Sequence, residues 1–354
     1  MDSPAHRTGG QEGLSMPNGS LSLTQGRPPA YSPDNARRIT RENVMETALA
    51  IIGSGFLRNF ILEQLSLTRP GTVVRVLSRT PPELVPGLRV EHVAGGTGDP
   101  AALYRAVTGA RDLIHLGSEE GHAVPYSANV SGTAAVTSAA ISQGCRHVLF
   151  YSSPDVYGDG PGRAFDEDEA LAPQSRFARA KVIGERLTEQ FGRLPGRAST
   201  VVRPFGLYGP GQPAESTLGR VVRAAFGGHP IPLPGGGQQL RNFTYVADVA
   251  RGIVAAVGRA NLDERPYAVY NLASFETISL RDAARLAIRL AGTSATITTN
   301  GRRGHGRPLA VQIPSVSRAR AELGFHATTL LAEGLTRCLL HEQETAAQRR
   351  MVNA

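Results

Sequence analysis

Cysteine is scarce in this sequence, and long apolar runs are missing. The 354 residues include two cysteines, Cys145 and Cys338, which are too few for a disulfide framework. No apolar stretch is long enough to cross a bilayer, and no charged segment leads into an apolar one as in a signal peptide. We therefore predict a soluble, cytoplasmic protein.

Acidic residues are outnumbered by basic ones, with 30 Asp and Glu against 38 Lys and Arg and a net charge of +8. The basic residues are scattered and form no stripe with interleaved aromatics, so we do not expect nucleic-acid binding. An anionic substrate would explain part of the excess. The 41% hydrophobic content is enough for a sizeable core in one large domain or two closely packed ones.

The two ends of the chain differ from its middle. Residues 1–43 are rich in Gly, Pro, Ser and Asn and lack hydrophobic periodicity, which predicts a disordered tail. From Ala48 the pattern becomes an apolar strand, a glycine turn and a helix. The last predicted helix covers about 330–344, and residues 346–354 are predicted to form a second tail.

Strands and helices alternate through the first half of the chain. Further strands are predicted at 72–77, 90–93, 112–116, 147–152 and 199–203, with helices at 100–107, 127–143 and 174–191. This alternation predicts an α/β fold with a doubly wound parallel sheet that binds its ligand at the strand carboxyl ends. After about 213 we expect shorter elements, broken by GGHPIPLPGGG and interleaved with returning strands.

The turn at Gly53, Ser54 and Gly55 lies between the first strand and the first helix. Such a turn lets backbone approach a pyrophosphate closely, with the helix N-terminus supplying N–H donors. A third glycine is expected where Arg58 stands. Three explanations remain open: the helix packs on the strand in another way, the cofactor sits more loosely, or Arg58 contacts phosphate. A glycine turn without a ligand is a further alternative.

The second strand ends in Leu77, Ser78 and Arg79, where NAD-binding proteins carry an acid for the adenine ribose. A hydroxyl followed by a guanidinium suits the ribose 2′-phosphate of NADP instead, because Arg can bind phosphate through two hydrogen bonds. A solvated surface arginine is the alternative.

Five separated motifs carry a resemblance to a known family. ANVSGTAAVTSAA, HVLFYSSPDVYG, FARAKVIGERL, VVRPFGLYGPGQ and LRNFTYVADVARGI occur in the order and spacing of the extended short-chain dehydrogenases/reductases. The chain resembles this NAD(P)-dependent epimerase/dehydratase group over about residues 47–340. The resemblance implies a Rossmann domain at 44–205, a substrate-binding region at 206–345, and NADP(H) or, less favoured, NAD(H) as cofactor.

In that family a Ser or Thr, a Tyr and a Lys act together on a carbonyl or carbinol. Ser153 matches the residue that hydrogen-bonds the reacting oxygen, and Lys181 matches the one that holds the nicotinamide ribose. The position of the tyrosine, which transfers the proton, is Phe177. Asp155 is the leading substitute, because similar dehydratases carry an acid there, although a turn-capping role is equally compatible. Weaker candidates are Tyr157, which is expected to pack, Tyr151 and His122.

The resemblance also assigns binding positions. Arg241 matches the arginine that clamps the substrate diphosphate, and Arg303 or Arg307 is the second contact. Gly206 stands where many epimerases have Asn, Gly96 replaces an acid often found near the adenine, and Asn129 is expected to brace the catalytic strand. No metal site is predicted. The full set implied to bind cofactor is Gly53, Gly55, Phe56, Leu57, Arg58, Ser78, Arg79, Leu116 and Lys181.

Three functions are compatible with these residues. VRVLSR and SRFARAK favour an NADPH-dependent 4-ketoreductase of a nucleotide-linked keto-deoxysugar, as in antibiotic biosynthesis. Asp155 favours an NAD-dependent nucleotide-sugar epimerase or dehydratase. Phe177 keeps open a catalytically silent Rossmann protein that binds nucleotide. The family also pairs through the helices that hold NVSGT and FARAK, so we expect a homodimer.

Overall fold

A parallel sheet forms the centre of the molecule. The computed structural model describes residues 49–53, 55–117, 125–158, 164–259, 266–300 and 313–352. The strands in these ranges are β1 (Leu49–Ile52), β2 (Val73–Ser78), β3 (Arg89–Ala94), β4 (Asp112–His115), β5 (His147–Tyr151), β6 (Ala164–Phe165), β7 (Ala198–Pro204), β8 (Leu207–Tyr208), β9 (Ile231–Pro234), β10 (Leu240–Asn242), β11 (Thr244–Tyr245), β12 (Tyr267–Leu272), β13 (Thr277–Ser279), β14 (Ile297–Asn300) and β15 (Ile313–Pro314).

Seven of these strands form the main sheet, in the order β12-β7-β5-β4-β1-β2-β3 and parallel throughout. The order reverses at β1, which lies between β4 and β2. Loops that leave neighbouring strands on opposite sides of such a point open a crevice at the carboxyl ends. The sheet therefore places the glycine turn after β1 and the SSPDVYG segment after β5 at the same edge.

Helices cover both faces of this sheet. They are α1 (Phe56–Thr68), α2 (Pro100–Val107), α3 (Tyr126–Ser142), α4 (Arg176–Gly192), α5 (Thr217–Phe226), α6 (Val246–Gly258), α7 (Leu280–Ala291), α8 (Ser317–Leu323) and α9 (Leu331–Val352). One face carries α1 packed against α6, and the other carries α2, α3 and α4. Alternate residues of β1 enter different hydrophobic clusters: Leu49 and Ile51 on the α1 side, Ala50 and Ile52 on the α2 side.

The C-terminal half corrects two predictions. Elements after 213 are not uniformly short, because α5, α6 and α7 have 10, 13 and 12 residues. The last helix does not end near Glu344 but continues to Val352. The expected return to the sheet is confirmed by β12, which pairs with β7. The boundary between the two regions at 205/206 stays a prediction.

Small two-stranded sheets hold the rest of this half together: β10 with β13, β11 with β8, β14 with β9, and β15 with β6. They bring Arg241 on β10 opposite Ile278 on β13. Within the described ranges, no helix combines the length and the apolar character that crossing a bilayer requires.

Candidate active site

The turn after β1 has the backbone that the sequence predicts. Gly53 and Gly55 have φ values of 132° and 118°, a region that other residues rarely adopt. A Cβ on Gly53 would lie 3.0 Å from both the Leu116 Cβ and the Gly117 carbonyl oxygen, so the loop after β4 approaches this turn closely. Ser54 lies outside the described residues. Helix α1 starts directly afterwards, at Phe56.

A cavity of about 240 Å³ opens beside this turn and runs along the ends of β1, β2 and β4. Among its lining residues Arg79 is exposed, and Gly96 has open space around the position that a Cβ would take. No carboxylate occurs in the described lining, which consists of Ile52, Gly53, Leu77, Ser78, Arg79, Gly95, Gly96, Thr97, His115, Gly117, Ala128, Asn129, Gly132 and Thr133.

Arg58 lies behind this cavity. The side chain is buried, and its Nη1 donates to Ser78 Oγ and to the Thr80 carbonyl, each at 3.1 Å. Its Nη2 donates to the Pro81 carbonyl at 3.4 Å. Arg58 therefore connects α1 to the loop after β2. The glycine expected at position 58 has no side chain that could make these hydrogen bonds. Its predicted contact with cofactor stays a prediction.

His115 organises the loop after β4. Thr133 Oγ1 donates to the Asn129 carbonyl, so His115 Nε2, 3.2 Å away, donates to Thr133 Oγ1. Nδ1 then accepts from the Gly117 N–H at 3.4 Å. Burial and the nearby Lys181 charge lower the pKa of His115 to about 3, which keeps the ring neutral. No local pattern around His115 indicates this role.

A second cavity, of about 300 Å³, lies at the end of β5 and collects most of the predicted catalytic residues. Ser153, Asp155, Phe177 and Lys181 all line it. So do three residues that were predicted to bind cofactor, Phe56, Leu57 and Leu116. The remaining lining residues are Tyr151, Ser152, Pro154, Pro204, Gly206, Leu207 and Pro213.

Ser153 and Asp155 are held by a short 3-10 helix over Pro154–Tyr157. Ser153 precedes this helix with extended backbone, and its Oγ accepts from the Asp155 N–H at 3.2 Å. The hydroxyl proton of Ser153 is not used by that bond. Ser153 can therefore donate to an oxygen in the cavity.

Phe177 and Lys181 lie one turn apart on α4, whose start is capped by Ser175. Lys181 is buried, and its Nζ donates to the Tyr151 carbonyl at 2.8 Å. The ammonium lies 5.1, 5.5 and 5.6 Å from the ring centroids of Phe150, Tyr151 and Phe177. Burial lowers the pKa of Lys181 to about 8, against an opposing effect of Glu185. The aromatic faces offset part of the desolvation of this charge.

Arg241 is coupled to the same site by charge. Burial lowers the pKa of Arg241, and the Asp155 carboxylate raises it. Its Nη1 also donates to the Leu240 carbonyl at 3.0 Å. The structure thus brings the predicted substrate clamp into electrostatic contact with the predicted acid. Arg303, Arg307 and His122 lie outside the described residues.

A buried polar network connects the segment after β5 with α4, β7 and β12. The sequence analysis does not predict this network. Glu185 accepts hydrogen bonds from Ser152 Oγ and from the Arg203 guanidinium, at 2.7 Å to Arg203 Nη2. Arg203 Nη1 donates to Tyr157 Oη at 2.8 Å, and Tyr157 Oη donates to Asn271 Oδ1 at 2.7 Å. Burial raises the pKa of Tyr157 to about 12. Tyr157 is therefore packed in the protein interior, as the sequence analysis predicts.

Gly206 has a backbone reason for lacking a side chain. Its φ is 54°, and a Cβ there would lie 2.1 Å from the Asn242 carbonyl oxygen. The close approach of the two loops therefore favours glycine at the position where the resemblance implies asparagine.

Comparison with known proteins supports one family. A family model described as the NAD dependent epimerase/dehydratase family matches residues 117–273. A dTDP-glucose 4,6-dehydratase of Streptomyces griseus is 30% identical over 240 residues, 65% of this chain and 71% of that protein. YtcB of Bacillus subtilis, described as an uncharacterized UDP-glucose epimerase, is 27% identical over 67% of this chain and 75% of that protein.

Solved structures share the same architecture. MoeE5 in complex with UDP-glucose and NAD superposes with a TM-score of 0.73 at 25% identity, covering 84% of this chain and 99% of that one. These matches confirm the resemblance carried by the five motifs. The chain belongs to the NAD-dependent epimerase/dehydratase family of extended short-chain dehydrogenases/reductases.

Proposed function

We propose that this protein uses a nicotinamide dinucleotide to oxidise and reduce a nucleotide-linked sugar, as an epimerase or a dehydratase. The observation that carries the proposal is the cavity at the end of β5, where Ser153, Asp155 and Lys181 line one space. A relative at 30% identity is a dTDP-glucose 4,6-dehydratase, and YtcB is described as an uncharacterized UDP-glucose epimerase.

The residues present fit such a cofactor. Gly53 and Gly55 leave backbone room for a pyrophosphate, and the start of α1 adds N–H donors. Gly117 lines the first cavity and Lys181 lines the second, and a Cβ on Gly117 would lie 3.1 Å from Lys181 Nζ, so the two cavities adjoin at these residues. When bound, the nicotinamide supplies and accepts the hydride. Lys181 would hold its ribose, and Ser153 Oγ would donate to the sugar oxygen that reacts.

Arg241 would bind the substrate diphosphate. A guanidinium that loses water on burial gains most from a doubly charged ligand, and charge-assisted hydrogen bonds are the strong class in proteins. When no ligand is bound, the Asp155 carboxylate offsets part of the positive charge of Arg241. Arg303 is proposed as a second diphosphate contact, and Asp155 remains a candidate proton donor.

A second candidate is the NADPH-dependent reductase of a nucleotide-linked keto-deoxysugar. It is favoured by Arg79 at the first cavity, whose described lining contains no carboxylate to accept from a ribose hydroxyl. Arg58 holds Ser78 and the following loop in place next to Arg79. A 2′-phosphate would find a guanidinium there instead of a repelling charge.

We also propose a homodimer formed through α3 and α4. These helices pack side by side, and α3 exposes Tyr126 and Ile141 at 39% and 41%. Light scattering would test this pairing, and a monomer would contradict it.

One experiment separates the functions. In one assay the purified protein is incubated with NAD and either UDP-glucose or dTDP-glucose. In a second assay it is incubated with NADPH and a nucleotide-linked 4-keto-6-deoxysugar. The masses of the products are measured by mass spectrometry. An epimerase gives a product of unchanged mass that chromatography separates from the substrate, a dehydratase gives one that is lighter by a water molecule, and a reductase consumes NADPH. Failure to bind both NADH and NADPH, measured by cofactor fluorescence, would contradict the epimerase, dehydratase and reductase functions. The hypothesis of a catalytically silent protein would then remain.

A further inference from the structure

Two aromatic rings face the Lys181 ammonium at nearly equal distances. The Phe177 ring, on α4, has its centroid 5.6 Å from Lys181 Nζ, and the Tyr151 ring, on β5, has its centroid 5.5 Å away. Phe177 occupies the position of the family's tyrosine but has no proton to transfer. Tyr151 brings a phenol to the same ammonium from a different element.

Tyr151 is also fixed in the cavity. It is the last residue of β5, it is half-buried, and it lines the same space as Ser153. The Tyr151 carbonyl accepts the 2.8 Å hydrogen bond from Lys181 Nζ. The Tyr151 backbone is paired with Val202 of β7, and the preceding Phe150 is paired with both β4 and β7, so the backbone from which this side chain leaves is held by the sheet.

Two other hydroxyls near this cavity, those of Ser152 and Tyr157, are engaged in the buried network. Ser152 Oγ donates to Glu185 in the buried network. Tyr157 is 2% exposed, and its Oη is hydrogen-bonded to both Arg203 and Asn271. Asp155 acts as a charge partner of Arg241. Of the described tyrosines, Tyr151 is the one that lines this cavity.

We propose that Tyr151 is the catalytic proton donor and acceptor of this protein, in place of the residue at position 177. The proposal rests on the proposed function. In reduction, the Oη–H bond of Tyr151 breaks and an O–H bond forms on the sugar oxygen, while the carbonyl carbon receives the hydride of the reduced nicotinamide. One carbonyl is reduced, one nicotinamide is oxidised, and solvent reprotonates the phenolate. In oxidation the phenolate would accept the carbinol proton, and the hydride of the carbinol C–H bond would pass to the oxidised nicotinamide.

Four variants test this assignment: Y151F, F177Y, the double variant Y151F/F177Y, and Y104F as a control on the exposed surface of α2. Y151F is expected to lower kcat by about a hundredfold or more, the usual contribution of a positioned acid–base group, with cofactor affinity unchanged. The double variant is expected to regain at least about tenfold of that loss, because residue 177 presents its ring to the same ammonium. Y104F is expected to match the wild type.

A small effect of Y151F on kcat would overturn the proposal, and so would a loss that F177Y does not rescue. If the wild type binds cofactor but converts no nucleotide sugar, the proposed function has failed, and a crystal structure with cofactor and UDP-glucose or dTDP-glucose decides the role of Tyr151. Tyr151 Oη within about 3 Å of a sugar oxygen would support it. Asp155 or a water molecule in that place would overturn it.

Discussion

The Lys181 ammonium lies 5.6 Å from the centroid of the Phe177 ring, one helical turn earlier on α4. In the family that this chain resembles, a phenol at position 177 would respond to that charge. Here the charge is surrounded by aromatic faces and bonded to the Tyr151 carbonyl. The lysine is therefore retained in a setting where residue 177 itself can neither give nor take a proton.

Lys181 makes stability depend on pH. Its ordinary pKa of 10.5 falls to about 8 in the native state, so the unfolded chain binds more protons between these values and stability rises with pH across that window. The full difference corresponds to about 3 kcal/mol. Relative to K181M, the wild type should therefore gain about this much free energy of unfolding as pH rises from 8 to 10.5.

Urea unfolding of wild type, K181M and K181R at several pH values measures this gain. K181R keeps its charge throughout the range, so its difference from K181M should stay constant. A difference between wild type and K181M that does not change with pH would show that Lys181 keeps its ordinary pKa.

Arg241 should act on the substrate and not on the cofactor. R241Q is expected to raise KM for the nucleotide sugar by about ten- to a hundredfold, the value of a hydrogen bond to a charged group. Cofactor affinity, measured by fluorescence, should stay unchanged. R220Q serves as control, because Arg220 is exposed on α5. Equal loss of cofactor and substrate binding in R241Q would place Arg241 outside the diphosphate site.

Arg79 should select between cofactors. If it binds the 2′-phosphate, R79A weakens NADPH binding by about tenfold or more and leaves NADH binding almost unchanged, since NADH lacks that phosphate. Titration of both cofactors by fluorescence measures the two affinities. An equal loss of affinity for NADH and NADPH would argue against the proposed NADPH-dependent reductase.

Gly206 should not tolerate replacement by asparagine. G206N places a Cβ 2.1 Å from the Asn242 carbonyl oxygen and is expected to lower the free energy of unfolding by about 1–3 kcal/mol through overpacking. G196N is the matched control, because Gly196 has a similar φ of 68° with open space around it. The free energy of unfolding of both variants is measured by urea unfolding. An equal loss in G206N and G196N would show that the backbone conformation, and not the close contact with Asn242, causes the effect.

Much of the fold follows from local patterns. The helix at 100–107 was predicted with the bounds that the structure has, and it is capped by Asp99 with Pro100 at its start. The end of α9 was missed, because a polar helix terminus resembles a tail in composition. The long helices after 213 were hidden by the glycine and proline segment that separates them.

The site was only partly predictable for a physical reason. Ser153, Asp155 and Lys181 belong to local motifs, and the sheet brings those motifs to one edge. The partners of Arg58 are about twenty residues away in sequence, and Asn242 is far from Gly206, so no local pattern indicates either contact. Glu185 had a usable signal, since it follows Lys181 by one turn on the same helix.

The central claim is that the cavity at the end of β5 performs hydride transfer on a nucleotide-linked sugar. It is tested most directly by the absorbance of the nicotinamide after rapid mixing of the protein and cofactor with UDP-glucose or dTDP-glucose, in wild type and K181M. We expect a change in the reduced nicotinamide signal in the wild type that is greatly diminished in K181M. An unchanged signal in wild-type protein that has bound both cofactor and sugar would contradict it.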